Sequence, residues 1–193
     1  MRIFGIDPGS LRTGYGCVET DGRRARLVLC GAITAPAGEP FAQRLALIHR
    51  ELSRLLRSCD PECVAVENLF HATNVRSALK LGHARGVAML AAVEAGCELV
   101  EYTPAEVKRA VVGYGRAEKP QVQQMVKLLL GMTQLPSPHD AADALAVAIC
   151  HLHSMPSRRA AVLADVPAAT PRGRRGAAGP PRSWRDYRPP AGG

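Results

Sequence analysis

The chain has 193 residues, 47% of them hydrophobic, enough for one domain with a sizeable core. Its net charge of +8 is uneven: from residue 157 onward eight arginines face two aspartates, a net of +6, which leaves +2 for residues 1–156. The body therefore has no general cationic field and must meet any anion through local clusters. No uncharged apolar stretch approaches the roughly 20 residues of a membrane span, and Asp7 interrupts the only N-terminal apolar run, so neither a membrane nor a secreted protein is expected. Six cysteines would permit a disulfide framework, but a chain of this size does not need one. Cys59 and Cys63 lack a second pair or suitably spaced histidines for zinc. A reducing, cytoplasmic compartment fits.

In chain order, Ile3, Phe4 and Ile6 form a short apolar run that reads as a buried strand ending on Asp7. Pro8-Gly9 turns the chain, and a second run over residues 15–18, flanked by Gly14 and Gly16, completes a hairpin with a long loop. A third strand is expected over residues 25–32, followed by a Pro/Gly loop. Phe41, Leu45, Ile48, Leu52, Leu55 and Leu56 recur at helical spacing, and Asp60-Pro61 ends that helix. Residues 63–66 read as a buried strand that, like the first, ends on an acid, Glu67.

A long helix is expected over residues 74–95. Gly82 and Gly86, with Ala78 above them, form a small-residue stripe that admits close approach of the sheet or of a second subunit. Gly96 closes the helix. A further strand covers residues 98–102. Thr103-Pro104 reads as an N-cap with proline at the first helical position, opening a helix to about Val112 that Gly113-Tyr-Gly115 breaks. Another helix begins near Pro120, with Val122, Met125, Val126, Leu129 and Leu130 facing in. The last helix is expected from Asp140 to about Ser154. From Pro156 the composition turns to Ala, Arg, Gly and Pro without periodicity, which reads as a disordered basic tail. Hairpin-linked strands followed by βα units imply a mixed sheet with helices on its faces.

Four acids stand at the ends of three elements able to abut: Asp7, Glu67, Asp140 and Asp143. Asp140 and Asp143, three apart, share one face of a helical turn. Singly each has an ordinary explanation, Asp7 as turn chemistry, Asp140 as an N-cap and Asp143 as a charge favoured by the helix dipole. Together they would repel, and hard divalent cations would reconcile them. Mg²⁺ or Mn²⁺ suits carboxylate oxygens, and two such ions roughly 4 Å apart can drive phosphodiester hydrolysis. His139 is adjacent and reads as a loop residue rather than a proton shuttle.

Six ordered blocks then carry a resemblance. Gly5-Ile-Asp-Pro-Gly-Ser-Leu-Arg-Thr-Gly-Tyr-Gly16, Val66-Glu-Asn-Leu-Phe70, Ser77-Ala-Leu-Lys-Leu-Gly-His-Ala-Arg-Gly86, Val107-Lys-Arg-Ala-Val-Val-Gly113, Ala117-Glu-Lys-Pro-Gln-Val-Gln123 and Asp140-Ala-Ala-Asp-Ala-Leu-Ala146 resemble the bacterial RuvC family of Holliday-junction resolvases. The likeness spans about residues 2–154. It implies an α/β fold, a ribonuclease-H-like mixed five-stranded sheet flanked by helices, in residues 1–155, with residues 156–193 as the disordered tail. It implies a homodimer that nicks opposed strands of four-way junction DNA symmetrically, leaving 5′-phosphate and 3′-hydroxyl ends. The catalytic and metal residues implied are Asp7, Glu67, Asp140 and Asp143, holding two Mg²⁺ per subunit, with Mn²⁺ an alternative. Some relatives place histidine where Asp140 stands. Lys108 and Lys119 match family positions that contact the DNA backbone, and Phe70 matches an apolar wedge for the junction centre. Arg76 and Arg116 are further candidate DNA contacts. The long helix matches the family's dimer helix. RuvA and RuvB branch-migration proteins are partners expected from the family.

Two rival readings are weighed. The glycine loop around Asp7 also resembles the first phosphate loop of actin-like and sugar-kinase ATPases, but 193 residues leave no room for their second lobe. A non-catalytic junction binder would not need Glu67, Asp140 and Asp143 together.

Overall fold

The computed structural model describes residues 1–68 and 74–164. The first three strands, β1 (Arg2–Asp7), β2 (Arg12–Thr20) and β3 (Ala25–Thr34), form an antiparallel meander. Helix α1 (Phe41–Cys59) then leads to β4 (Cys63–Glu67), and α2 (Val75–Glu94) to β5 (Glu98–Tyr102). Three helices follow, α3 (Pro104–Val112), α4 (Lys119–Leu129) and α5 (His139–Ala164). The sheet order is β3-β2-β1-β4-β5, with β4 parallel to both of its neighbours. It is the expected mixed five-stranded sheet.

Strand alternation divides the core in two. Phe4, Ile6, Cys17, Val64 and Val66 point to one face and pack with Ile48, Leu52 and Leu56 of α1 and Ala88, Ala91 and Ala92 of α2. Ile3, Val18, Cys63 and Ala65 point to the other and pack with α3, α4 and α5 through Val107, Val126, Leu145 and Ile149. Along this second face the side chains shrink towards one end of the sheet, where β1 and β2 present Gly5, Gly14 and Gly16 to α5. A Cβ on Gly5 would lie 2.0 Å from the Ala144 carbonyl oxygen, and one on Gly14 would lie 2.0 Å from that of Asp140. Those glycines let the α5 backbone rest directly on the strands. Gly5→Ala is therefore expected to cost on the order of 3 kcal/mol, read as a melting temperature roughly 6–12 °C lower. An unchanged melting temperature would show that α5 can ride up without penalty.

Local chemistry explains most boundaries. Thr103 and Glu106 form a reciprocal capping box at the start of α3, with Pro104 behind the cap. Asn74 caps α2 by accepting from the Ser77 amide. Asp60 ends α1 in a left-handed conformation, φ 46°.

The structure departs from expectation in three places. Leu129 is exposed rather than facing in, because the buried stripe of α4 is Val122, Gln123, Val126 and Leu130. Gln123 is drawn inward by its bond to His139, 2.6 Å. Helix α5 begins at His139, so Asp140 sits inside the first turn instead of capping it, and His139 is a helical residue rather than a loop one. The helix also continues beyond Ser154 to Ala164, through good helix formers such as Arg158, Arg159, Ala160 and Ala161, despite Pro156.

The six cysteines are free thiols. Among the described residues no helix is long and apolar enough to cross a membrane.

A candidate acidic metal centre

β1 and β4 run parallel with Ile6 opposite Val66, so Asp7 and Glu67 leave adjacent strands one step later at the same end of the sheet. Both belong to the alternation that faces α5. The first turn of α5 lies over that end, because Gly14 admits the backbone of Asp140. Two strands and one helix thus bring Glu67, Asp140 and Asp143 near enough for their charges to act on Asp7.

Their electrostatics record the crowding. Burial chiefly, then the Glu67 and Asp143 charges and a hydrogen bond with Glu67, push the Asp7 carboxyl up from 3.8 to about 8, with Asp140 adding to the rise. Glu67 is raised as well, by burial first and then by Asp143, while the charges of Lys119 and Lys108 oppose the rise. The same hydrogen bond acts the other way on Glu67, lowering it against the effect of burial.

Two cations stand against the helix pair. Lys119 Nζ donates to Asp143 Oδ2 at 2.9 Å, and this bond, with the Asp143 charge, raises the lysine's own proton affinity. Arg12 Nη1 approaches Asp140 Oδ2 at 3.5 Å. Among the described residues no three ligating side chains lie close enough together to enclose an ion as they stand.

The loop after Asp7 is held from both sides. Thr13 Oγ1 donates to the Gly9 carbonyl at 2.8 Å. The buried Arg44 of α1 donates to the Ser10 carbonyl at 3.2 Å, with its guanidinium 5.2 Å from the centre of the Phe41 ring. Arg44 escapes a reading by helical periodicity because it is a cation on the apolar face of α1. Arg12 escapes it because only the fold brings β2 to the first turn of α5.

Of the sequence-predicted DNA contacts, Lys108 and Lys119 border the acids closely enough for their charges to reach Glu67. Arg76 lies exposed in the first turn of α2, and Arg116 lies exposed between α3 and α4. Phe70 falls outside the described residues.

A family profile described as crossover junction endodeoxyribonuclease RuvC matches residues 3–151. The chain belongs to the RuvC family. Crossover junction endodeoxyribonuclease RuvC of Koribacter versatilis is 56% identical over 155 residues, covering 80% of this chain and 93% of the relative. The Syntrophotalea carbinolica RuvC is 58% identical over 153 residues, covering 79% and 94%. Among solved structures, Thermus thermophilus RuvC is similar at 37% identity and a TM-score of 0.76, covering 82% of this chain and 97% of that one. The same protein in complex with Holliday junction substrate is similar at 35% identity and a TM-score of 0.75, covering 81% and 96%. RuvC membership decides against the ATPase alternative, whose resemblance rests on one glycine loop.

Proposed function

We propose that this protein is a Holliday junction resolvase, an endonuclease that nicks two opposed strands of a four-way DNA junction in recombination and repair. The observation that carries this reading is the convergence of Asp7, Glu67, Asp140 and Asp143 at one end of the sheet, in a chain of the RuvC family. The donor set suits a hard divalent cation. It offers oxygen ligands only, and among the described residues its half-buried pair, Asp7 and Glu67, forms no ion pair, with Lys119 and Lys108 acting only through their charges.

In this reading the four acids hold Mg²⁺, or Mn²⁺, two ions per subunit with substrate. When bound, such ions would supply an activated water and stabilisation of the leaving oxygen, the chemistry that leaves 5′-phosphate and 3′-hydroxyl ends. The rest is the work of the chain. The strand ends hold Asp7 and Glu67 still, and the buried Arg44 anchors the adjoining loop. Lys108 and Lys119 bring phosphate backbone to the acids as point charges, without reading bases. Arg76 and Arg116 extend that contact, and Phe70 is the candidate wedge.

Resolution needs two such sites. Val75, Leu79, Gly82, Gly86, Leu90 and Val93 form one stripe along α2, and its four large members are at least half exposed. A Cβ on Gly82 or Gly86 would meet nothing within 4 Å. The opposite side of the helix, Ala84, Ala88, Ala91 and Ala92, is buried. We assign the exposed stripe to a homodimer. RuvA and RuvB remain the expected partners, in the cytoplasm.

The deciding experiment incubates the protein with a synthetic four-way junction or plain duplex, in Mg²⁺ or EDTA. Paired symmetric nicks are expected in the junction alone, with Mg²⁺ alone. Cleavage of both substrates alike would make it a general nuclease.

Residues 1–155 are proposed to carry the activity, with the basic segment beyond adding non-specific affinity. Truncation after Ala164, which spares α5, is expected to preserve cleavage at moderate salt. It removes six arginines, among them Arg172 and Arg174, and should flatten the salt dependence of duplex binding. Loss of folding or of dimerisation on truncation would overturn the tail assignment.

A further inference from the structure

Arg12 is a cation that neither helical nor strand patterning singles out, yet it stands at the mouth of the acidic centre. It opens β2 inside the loop that the Thr13–Gly9 hydrogen bond closes. Its guanidinium approaches Asp140 end-on, one nitrogen to one oxygen at 3.5 Å, from a side chain 53% exposed. An exposed, monodentate pair of this kind contributes between nothing and about 1 kcal/mol, so it is readily exchanged. A guanidinium also carries a planar fork that fits a phosphate bidentately, which its present contact leaves unused. On the other side, Lys119 pairs with Asp143 in the same way, at 2.9 Å and 72% exposed. The helix pair of acids is thus held by two surface cations, while among the described residues the half-buried pair, Asp7 and Glu67, forms no ion pair.

We propose that Arg12 serves two partners in turn: Asp140 while the acidic centre is without metal, and a backbone phosphate of the bound junction once Asp140 turns to the metal. This rests on the metal-centre reading above. The same guanidinium that competes with a divalent ion for Asp140 becomes, on release, a positioning residue for the DNA strand next to the acids. Metal loading and DNA binding are thereby coupled, and the coupling is reciprocal. Lys119 exchanges its contact alongside, but Arg12 is the member whose planar fork gives the phosphate an orientation.

The test uses the full chain and measures binding rather than turnover, with Ca²⁺ as the ion. Calorimetry follows Ca²⁺ binding to wild type, Arg12→Ala and Asp7→Asn. Fluorescence anisotropy follows a labelled four-way junction in Ca²⁺ and in EDTA over a range of salt. Arg12→Ala is expected to bind Ca²⁺ about two- to fivefold more tightly, because Asp140 loses its competitor. In Ca²⁺ it is expected to bind the junction about three- to tenfold more weakly, with a salt slope shallower by about one. In EDTA, where Asp140 holds Arg12 back, the junction difference should shrink to less than about twofold. Unchanged Ca²⁺ affinity in Arg12→Ala, or an equal loss of junction affinity in Ca²⁺ and EDTA, would overturn the exchange and leave the metal centre standing. Asp7→Asn should lose Ca²⁺ binding. If it retains wild-type Ca²⁺ affinity, the metal assignment fails and the exchange fails with it.

Discussion

Asp7→Asn is expected to abolish junction cleavage while leaving junction binding intact. The substitution keeps the size and shape of the side chain but removes the carboxylate on which the charges of all three other acids act. Losing a ligand that holds a catalytic ion removes several kcal/mol of transition-state stabilisation, roughly a thousandfold in rate or more. The phosphate contacts proposed for the surrounding lysines would not depend on it. Cleavage in Mg²⁺ within tenfold of wild type would refute the site.

The same variant should behave unusually when heated without metal. The folded-state Asp7 carboxyl sits at about 8, against 3.8 for the ordinary group. Below about pH 4 the folded and unfolded chains both hold the proton, and Asp7 contributes no pH-dependent penalty. Between those values the unfolded chain releases the proton and the folded chain keeps it, so unfolding gains ground as pH rises. Glu67 is displaced in the same direction and adds to the trend. Metal-free wild type should therefore melt several °C lower at pH 8 than at pH 5. Asp7→Asn, which has no proton to lose there, should show a flatter profile and a higher melting temperature at pH 8. Thermal scans in EDTA at the two pH values decide it; parallel profiles would mean that the acids do not crowd one another as described.

The second large effect is expected at α2. Gly86→Glu places a charge in the middle of the exposed stripe, at a position where a Cβ meets nothing in its own chain. The monomer fold should be undisturbed, and replacing a helical glycine should even add about 0.5–1 kcal/mol to helix stability. Two copies of the charge at the proposed helix contact should nevertheless split the proposed dimer. Light scattering should report a monomer of unchanged helicity, and paired cleavage of junctions should fall by two orders of magnitude or more, consistent with ~3 kcal/mol lost from the active assembly. A variant that remains dimeric would place the interface elsewhere.

Much of this was legible before the fold. Short apolar runs ending on Asp7 and Glu67 announce two strands whose last residues project from a common edge. Thr103-Pro104 with Glu106 spells out a helix start in three residues. The acids of α5 are readable because a three-residue spacing fixes a common face. What stayed hidden depends on side chains that break the local pattern for a distant partner. Gln123 turns inward for His139, which rotates the buried stripe of α4 and leaves Leu129 in solvent. Arg44 enters the core side of α1 to hold a loop carbonyl. Arg12 meets Asp140 across 128 residues of sequence, a contact no periodicity can encode. The end of α5 was misplaced for a different reason: a proline and a change of composition at residue 156 look like a stop, but the alanines and arginines after it still favour a helix.

The parallel pairing of β1 with β4 has one more consequence. Asp7 and Glu67 lie one step beyond the Ile6–Val66 pair of a hydrogen-bonded ladder, so the distance between their backbones stays close to the strand spacing of about 4.8 Å. That length is a property of the peptide group and does not depend on which apolar side chains fill the core. Half of the acidic centre is thus calibrated by the main chain and insulated from drift in the residues around it. The other half rides on α5, whose height above the sheet is set by side-chain volume. Tuning of the centre, whether by evolution or by design, will therefore act through the seating of that helix, and substitutions beneath it can alter activity without touching any acid.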